Sequence, residues 1–135
     1  MISKIFKIEK TVKKKHLDEL NHVNNVQYLY WVQEVSKAHW DNLIHNKNLS
    51  KKGLWVVRSH KIEYKNLTKL NDKIIVSTYI KNVKGYLSER SVVIKLKKTE
   101  KILVRCLTEW CFVDLKTQKL KKIPQEIIKL FNNIN

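Results

Sequence analysis

The chain is poor in the residues that interrupt or cross-link a fold. It has two Gly, one Pro and two Cys in 135 residues, and no apolar run reaches the length of a transmembrane helix. So few Gly and Pro leave no visible linker, and the length suits a single domain over residues 1–135. The apolar stretch at the start of the sequence is too short, and too often interrupted by Lys, to be a signal peptide. We therefore expect a cytoplasmic protein without membrane insertion.

The cysteines exclude two common ways of stabilising a small domain. No set of Cys and His has the spacing of a structural zinc site. Cys106 and Cys111 lie five residues apart in a predicted strand, where an odd offset points side chains to opposite faces. We therefore expect two buried or half-buried free thiols and no disulfide between them. We also expect no metal and no prosthetic group.

Positive charge, in contrast, is in large excess. Lys and Arg number 28 against 12 Asp and Glu, which gives a formal net charge of +16. Such a surface suits an anionic partner, such as an acidic carrier protein, a phosphate-bearing cofactor or nucleic acid. The charge is spread along the chain, however, and Arg occurs only at Arg58, Arg90 and Arg105. Because Arg is the preferred residue for specific base and phosphate contacts, we expect no nucleic-acid partner.

The hydrophobic pattern predicts one long helix among strands. Residues 6–13 alternate between apolar and polar and predict a half-buried strand, whereas residues 26–45 repeat at helical spacing behind an Asn N-cap. Strands are predicted at 54–64, 72–80, 90–96 and 102–115, and Pro124 opens a short final helix. Short turns between successive strands predict hairpins. The result is an α+β domain with its long helix laid across a curved antiparallel sheet.

The segment just before the long helix concentrates the chemically active side chains. Asp18, His22, Asn24 and Asn25 supply a carboxylate, an imidazole and two carboxamides within eight residues. A helix start adds unpaired backbone N–H groups and the positive end of the helix dipole. Together these groups are suited to hold a carbonyl and promote attack on it. Taken alone, Asp18 fits a loop cap better than a catalytic residue, and the Asn pair fits a helix cap.

The motif from His22 to Tyr28, His-Val-Asn-Asn-Val-x-Tyr, resembles the His-Val-Asn-Asn-x-x-Tyr signature of the hotdog-fold thioesterases. These include the 4-hydroxybenzoyl-CoA thioesterase-like and acyl-acyl-carrier-protein thioesterase groups. Later segments at 56–58, 62–64, 71–74, 110–114 and 123–124 follow the family's order and spacing. The resemblance implies a single hotdog fold, in which a curved antiparallel β-sheet wraps a long central helix. It also implies homodimers with active sites at the interface, some of which pair into homotetramers.

The resemblance implies hydrolysis of a thioester. Asp18 matches the family's catalytic carboxylate, acting as general base or nucleophile, and His22 matches an active-site histidine of the carrier-protein enzymes. Those enzymes place Asn where this chain has Leu20, and Glu-Cys where it has Leu67 and Thr68. We therefore expect an acyl-CoA thioesterase, with acyl-carrier protein as the alternative substrate. A hotdog dehydratase and a basic nucleic-acid-binding protein are more distant alternatives.

Four residues at the helix start are candidates for contact with the acyl thioester. Asn24 and Asn25 either cap the helix or shape the loop that aims backbone N–H groups at the thioester oxygen, and the two roles are compatible. Tyr28 and Trp31 begin the aromatic face of the helix. Aromatic residues at this spacing are usually core, and the other interpretation is a wall of the acyl pocket at the dimer seam.

Three basic residues are candidates for the coenzyme A phosphates, namely Arg58, Lys84 and Arg90. Each is also explained by an ordinary solvated surface charge. His39 falls in the middle of the predicted helix, where we expect it to be a packing or surface residue.

Overall fold

In the computed structural model, which describes residues 3–132, a long helix lies against a five-stranded antiparallel sheet. The predicted α+β class and order of elements are confirmed. The elements in chain order are β1 (Phe6–Thr11), a 3-10 turn (Lys14–His16), α1 (Asn25–Leu43), β2 (Leu54–Tyr64), β3 (Lys73–Lys84), β4 (Leu87–Leu96), β5 (Ile102–Val113) and α2 (Gln125–Asn132).

Helix α1 begins at a side-chain cap and buries one stripe. Asn24 has an extended backbone, and its Oδ1 accepts the Val26 N–H at 2.9 Å, which satisfies one of the unpaired donors of the first turn. Buried positions then recur three or four residues apart, so a single face of the helix packs on the sheet. The buried residues of this face are Tyr28, Trp31, Val32, Val35, Ser36 and His39.

The strands are arranged in the order β1-β3-β4-β5-β2. Strands β3, β4 and β5 form successive hairpins, but β2 pairs with β5, so the hairpin predicted between β2 and β3 is wrong. The segment 65–72 instead crosses the end of the sheet. Its Lys65 N–H donates to the Leu103 carbonyl at 2.7 Å, and its Asn71 N–H donates to the Val12 carbonyl at 2.8 Å. The two bonds anchor the segment near opposite edges of the sheet. Leu103 is in β5, which neighbours the edge strand β2, and Val12 follows the other edge strand, β1.

The interior has two hydrophobic clusters, one at each end of α1. The first lies under the start of the helix and is built around Trp31, Val32 and Val35. The second lies beyond the end of the helix, where Phe131 of α2 and Phe112 of β5 both pack against Trp55 of β2. Cys106 and Cys111 are both buried free thiols, as predicted.

Strand β2 forms an edge of the sheet and carries exposed apolar residues. Leu54, Val56 and Tyr64 are 41%, 49% and 43% exposed. An unpaired strand edge with apolar side chains is a template for pairing with another strand. None of the helices within residues 3–132 is long and apolar enough to cross a membrane.

Candidate active site

Asp18 lies in the loop that leads into α1, where its carboxylate organises a tight turn. Its Oδ1 accepts the backbone N–H of Leu20 at 2.9 Å and that of His22 at 3.2 Å. The Asp18 N–H in turn donates to the His22 carbonyl at 2.7 Å. The other carboxylate oxygen accepts no hydrogen bond from residues 3–132. Asp18 therefore acts as a loop cap and still has one oxygen that can engage water or a ligand.

This turn is fastened to the helix start by the backbone. The Asn24 N–H donates to the His16 carbonyl at 3.0 Å, and Leu17 and Val23 form a bridge across the base of the loop. Asn21 takes a left-handed conformation with φ of 62°, which Asn tolerates better than most residues. The loop therefore holds the Asp18 carboxylate in a fixed position in the segment that joins the 3-10 turn to α1.

The four polar residues predicted for this region are brought together. His22 is half-buried, and its ring makes no hydrogen bond to another residue of the described chain. Asn24 is the cap, and Asn25 is the first helical residue. The Asn25 N–H has no partner among the described residues, and the Asn25 carbonyl accepts the Tyr64 hydroxyl at 3.4 Å.

Tyr28 and Trp31 occupy the core rather than the wall of a cavity. Trp31 is 1% exposed and packs edge-on against His16 and Tyr28. The Tyr28 hydroxyl hydrogen-bonds Thr68 Oγ1 at 2.9 Å, and burial raises the pKa of Tyr28. In the resemblance to the carrier-protein thioesterases, Thr68 takes the position of their cysteine. In this chain it is 1% exposed and fastens the crossing segment to the helix.

Both Arg58 and Lys84 are exposed, but they are far from each other in space within one protomer. The sequence analysis names both as candidates for binding the coenzyme phosphates. Arg58 is in β2 and Lys84 ends β3. The two strands are three positions apart in the sheet, which corresponds to about 14 Å.

Arg90 lies in the interior, so the surface position predicted for it is wrong. It is 5% exposed, beneath the second half of α1. Its Nη1 donates to Nδ1 of His39 at 2.8 Å and to Oγ1 of Thr78 at 3.0 Å. The inner face of β4 carries Arg90 because buried and half-buried residues alternate along this strand. A phosphate that stays in solvent does not reach this position.

His39 is the polar partner that links α1 to Arg90. Its ring is 3% exposed and stacks on Phe6 with the ring centroids 5.2 Å apart. Burial, together with the positive charge of Arg90, lowers the pKa of His39 from 6.5 to about 4. His39 is therefore neutral at pH 7, and Nδ1 is its hydrogen-bond acceptor. The sequence predicts a packing or surface residue at His39. It does not predict the pairing of His39 with Arg90, because that contact forms only in the tertiary fold.

A cavity of about 430 Å³ lies between the second half of α1 and strands β2, β4 and β5. Its walls include Trp40 from the helix and Trp55, Arg90 and Trp110 from the sheet. Asp18 is not among its lining residues. The first helix residue that lines the cavity, Gln33, is eight residues beyond Asn25, so the cavity begins about 12 Å along the helix from the first residue of α1. Within residues 3–132, no three His, Cys, Asp or Glu side chains cluster as metal ligands do.

The depressed pKa of His39 makes stability depend on pH. The unfolded chain binds a proton at His39 near pH 6.5, whereas the folded chain does so only near pH 4. Stability is therefore complete above pH 6.5 and is lost as the pH falls toward 4. We expect His39→Asn, which keeps an acceptor near the Nδ1 position, to reduce the acid loss of unfolding free energy by about 1–3 kcal/mol. Urea unfolding from pH 7 to 4 measures this difference, and parallel curves for the two proteins would contradict it.

Comparison with known proteins shows the family of the chain. The family model of the acyl-ACP thioesterase N-terminal domain, where ACP is acyl-carrier protein, matches residues 3–131. The long-chain acyl-CoA thioesterase FadM of Escherichia coli strain K12 is 28% identical over 116 residues. The match covers 83% of this chain and 86% of FadM.

Solved structures agree on the fold. A 1,4-dihydroxy-2-naphthoyl-CoA thioesterase from Synechocystis superposes with a TM-score of 0.82 at 16% identity, over 95% of this chain and 96% of that one. A 12:0-ACP thioesterase from Umbellularia californica gives 0.78 at 18% identity, over 91% of this chain and 50% of that one. The fold is thus the hotdog fold, and the chain belongs to the thioester-hydrolase family of acyl-ACP thioesterase N-terminal domains.

Proposed function

We propose that this protein is an acyl-CoA thioesterase that releases a free acid and coenzyme A, with Asp18 as its catalytic carboxylate. The observation that carries the proposal is the geometry of Asp18. One oxygen of its carboxylate fixes the loop, and the other has no hydrogen-bond partner among residues 3–132, in the loop that leads into α1. The similarity to FadM, named as a long-chain acyl-CoA thioesterase, supports the choice of substrate.

The groups around Asp18 supply the parts of a thioester hydrolysis. As a general base, the free Asp18 oxygen takes a proton from water while the water oxygen bonds to the thioester carbon. As a nucleophile, the same oxygen bonds to that carbon directly, and water then cleaves the anhydride. In both routes the C–S bond breaks and the coenzyme leaves as a thiolate that takes up a proton. His22, in the same turn, orients the water.

The start of α1 stabilises the negative charge that develops on the thioester oxygen. The Asn25 N–H has no partner among the described residues, and the first turn of a helix carries the positive end of the dipole. Donors fixed before the reaction stabilise an oxyanion without reorganising. Asn24 contributes by holding the first turn in place through its cap.

The enzyme works as a homodimer in this proposal. Strand β2 is an eleven-residue edge strand whose exposed apolar residues need a cover. A second copy of β2 supplies it, and a two-fold axis makes the two strands antiparallel. His60, in the middle of β2, supports this arrangement. Its Nε2 is buried and has no hydrogen-bond partner among the described residues.

Antiparallel pairing completes the active site. The Leu54 end of one β2 lies beside the Tyr64 end of the other. Tyr64 contacts the helix start at Asn25, whereas Leu54 and Trp55 line the cavity. The loop of the partner subunit's Asp18 therefore approaches the mouth of this cavity. The acyl chain occupies the cavity of one protomer while the carboxylate of the other attacks the thioester.

The net charge of the chain supports coenzyme A as the carrier of the acyl group, and its free thiols support a cytoplasmic location. The net charge of +16 attracts the coenzyme phosphates, and exposed Arg58 and Lys84 are the candidates for direct contact. The free thiols of Cys106 and Cys111 fit a reducing compartment, and we place the enzyme in the cytoplasm.

Two substitutions of Asp18 separate its catalytic and structural roles. Asp18→Asn keeps an oxygen that accepts the Leu20 and His22 N–H groups but removes the charge. We therefore expect wild-type stability with turnover lowered at least about 100-fold. Asp18→Ala loses the acceptor as well, and we expect it to be about 1–2 kcal/mol less stable. Thiol release from a panel of acyl-CoAs and urea unfolding measure the two effects. Full activity of Asp18→Asn would leave Asp18 as a loop cap only.

Acyl-carrier protein is the second candidate substrate. The matching family model and the high positive charge favour it. Against it, Thr68 is buried on Tyr28 and does not reach a substrate. We expect kcat/KM to be higher for an acyl group on coenzyme A than for the same group on carrier protein. The reverse order, with a rate on carrier protein that falls as salt is added, would assign the carrier-protein reaction. Incubation with enoyl-CoA in the same series tests for a dehydratase.

The dimer is tested by charging its edge strand. Val56→Lys puts a cation on the exposed edge of each copy of β2, three residues from the midpoint of the strand, and we expect monomers with lowered turnover. Ile5→Lys is the matched control, because Ile5 is 58% exposed and lies outside β2. Sedimentation of the three proteins gives their masses and separates dimer from tetramer. A Val56→Lys protein that remains dimeric would place the interface elsewhere.

A further inference from the structure

The cavity under α1 contains a buried positive charge without a buried negative one. Arg90 lines the cavity and is 5% exposed, yet both of its described hydrogen-bond acceptors, His39 and Thr78, are neutral. Among the described residues that line the cavity, Asp41 alone carries a carboxylate, and this exposed residue of α1 forms no described ion pair. Burial lowers the pKa of Arg90 to about 10, so the group keeps its charge at pH 7.

An unpaired buried charge is costly, and proteins usually pair it or use it. An arginine carries five N–H donors, and those on Nη1 of Arg90 bind His39 and Thr78. The donors on Nε and Nη2 have no hydrogen-bond partner among the described residues. A planar pair of free donors matches the two oxygens of a carboxylate.

A second donor in the same cavity also lacks a partner. Nε1 of Trp110 is buried, and no described residue accepts a hydrogen bond from it. Trp110 lies directly opposite Ser88 in the β4–β5 register, and Ser88 is two residues before Arg90 on the same face of β4. This spacing puts Trp110 about 7–8 Å from Arg90 along the diagonal of the sheet. Ser88, 4% exposed, lines the cavity between them.

We propose that Arg90 and Trp110 bind a carboxylate at the far end of the acyl chain, so that the preferred substrate is an ω-carboxyacyl thioester. This inference rests on the proposed function, because it takes the cavity to be the acyl pocket. Trp40 and Trp55 supply the apolar walls for the methylene chain. An acyl chain with a methyl end leaves the donors of Arg90 and Trp110 unpaired, which costs binding energy.

The wild-type enzyme gives the first test. Linear ω-carboxyacyl-CoAs are compared with methyl-ended and ω-hydroxyacyl-CoAs of the same chain lengths. We expect kcat/KM to be at least about tenfold higher for the best ω-carboxy substrate than for its methyl-ended match. Equal or lower values for the ω-carboxy series would overturn the proposal. A preference for the ω-hydroxy series would also overturn it and would assign a neutral acceptor.

Variants then locate the preference. Arg90→Met removes the charged donors, and we expect the selectivity ratio to fall to about one, while Arg90→Lys keeps part of it. Trp110→Phe keeps the ring and loses only the N–H, which provides a test if Arg90→Met fails to fold. Arg105→Met is the matched control, since Arg105 is exposed and lines no described cavity. A ratio unchanged in Trp110→Phe and in either folded Arg90 variant would contradict the proposal.

Binding without turnover separates this inference from the proposed function. Free dicarboxylic acids and neutral α,ω-diols of equal length are added to the wild-type protein, and the melting temperature is followed. We expect only the dicarboxylic acids to raise it markedly, and Arg90→Lys to reduce the rise. If they do so while no acyl-CoA is hydrolysed, the proposed function fails and the carboxylate site stands. If neither series shifts the melting temperature while acyl-CoAs are hydrolysed, the carboxylate site fails alone.

Discussion

The burial of one stripe of α1 on the sheet is the constraint on which the rest of the structure depends. Trp31, Val32 and Val35 are at most 1% exposed, and they fix both the depth and the rotation of the helix. Because the helix is held in this way, its first turn is fixed beside the Asp18 loop. Its second half forms one wall of the cavity that Arg90 also lines. A core contact made mainly of aromatic and branched side chains therefore positions two chemically distinct regions, the Asp18 loop and a cavity that begins about 12 Å along the helix from its first residue.

In the proposed mechanism, this separation is the reason why the active site needs two protomers. The carboxylate lies at one end of α1, and the cavity that could hold an acyl chain lies under the other. Strand β2 connects them, since Tyr64 at its end contacts the helix start, and Leu54 at its beginning lines the cavity. In the proposed dimer, pairing of two β2 edges about a two-fold axis brings unlike ends together. The exposed edge, which is an aggregation risk in a monomer, is in this proposal the element that assembles the site.

Local patterns predicted most of the fold because they act over short distances. The Asn24 cap and the apolar spacing gave α1 at 26–45, against 25–43 in the structure, and the strand positions followed from alternation. The sequence does not predict the pairing of β2 with β5, because a polar segment of eight residues is typical both of a turn and of a connection that crosses the sheet. The sequence also predicts a surface position for Arg90, for a related reason. Its burial depends on the sheet face that packs under His39, and only the tertiary contacts reveal that face.

The central claim is that each active site combines the Asp18 loop of one protomer with the cavity of the other. Its most direct test mixes two inactive proteins, Asp18→Asn and Ser36→Phe, the latter filling the cavity from α1. A heterodimer of the two has one site with both defects and one intact site. Random mixing should therefore restore about a quarter of the wild-type thiol-release activity. If the mixed dimers form and remain as inactive as the parents, each site is built within a single protomer, and the account is wrong.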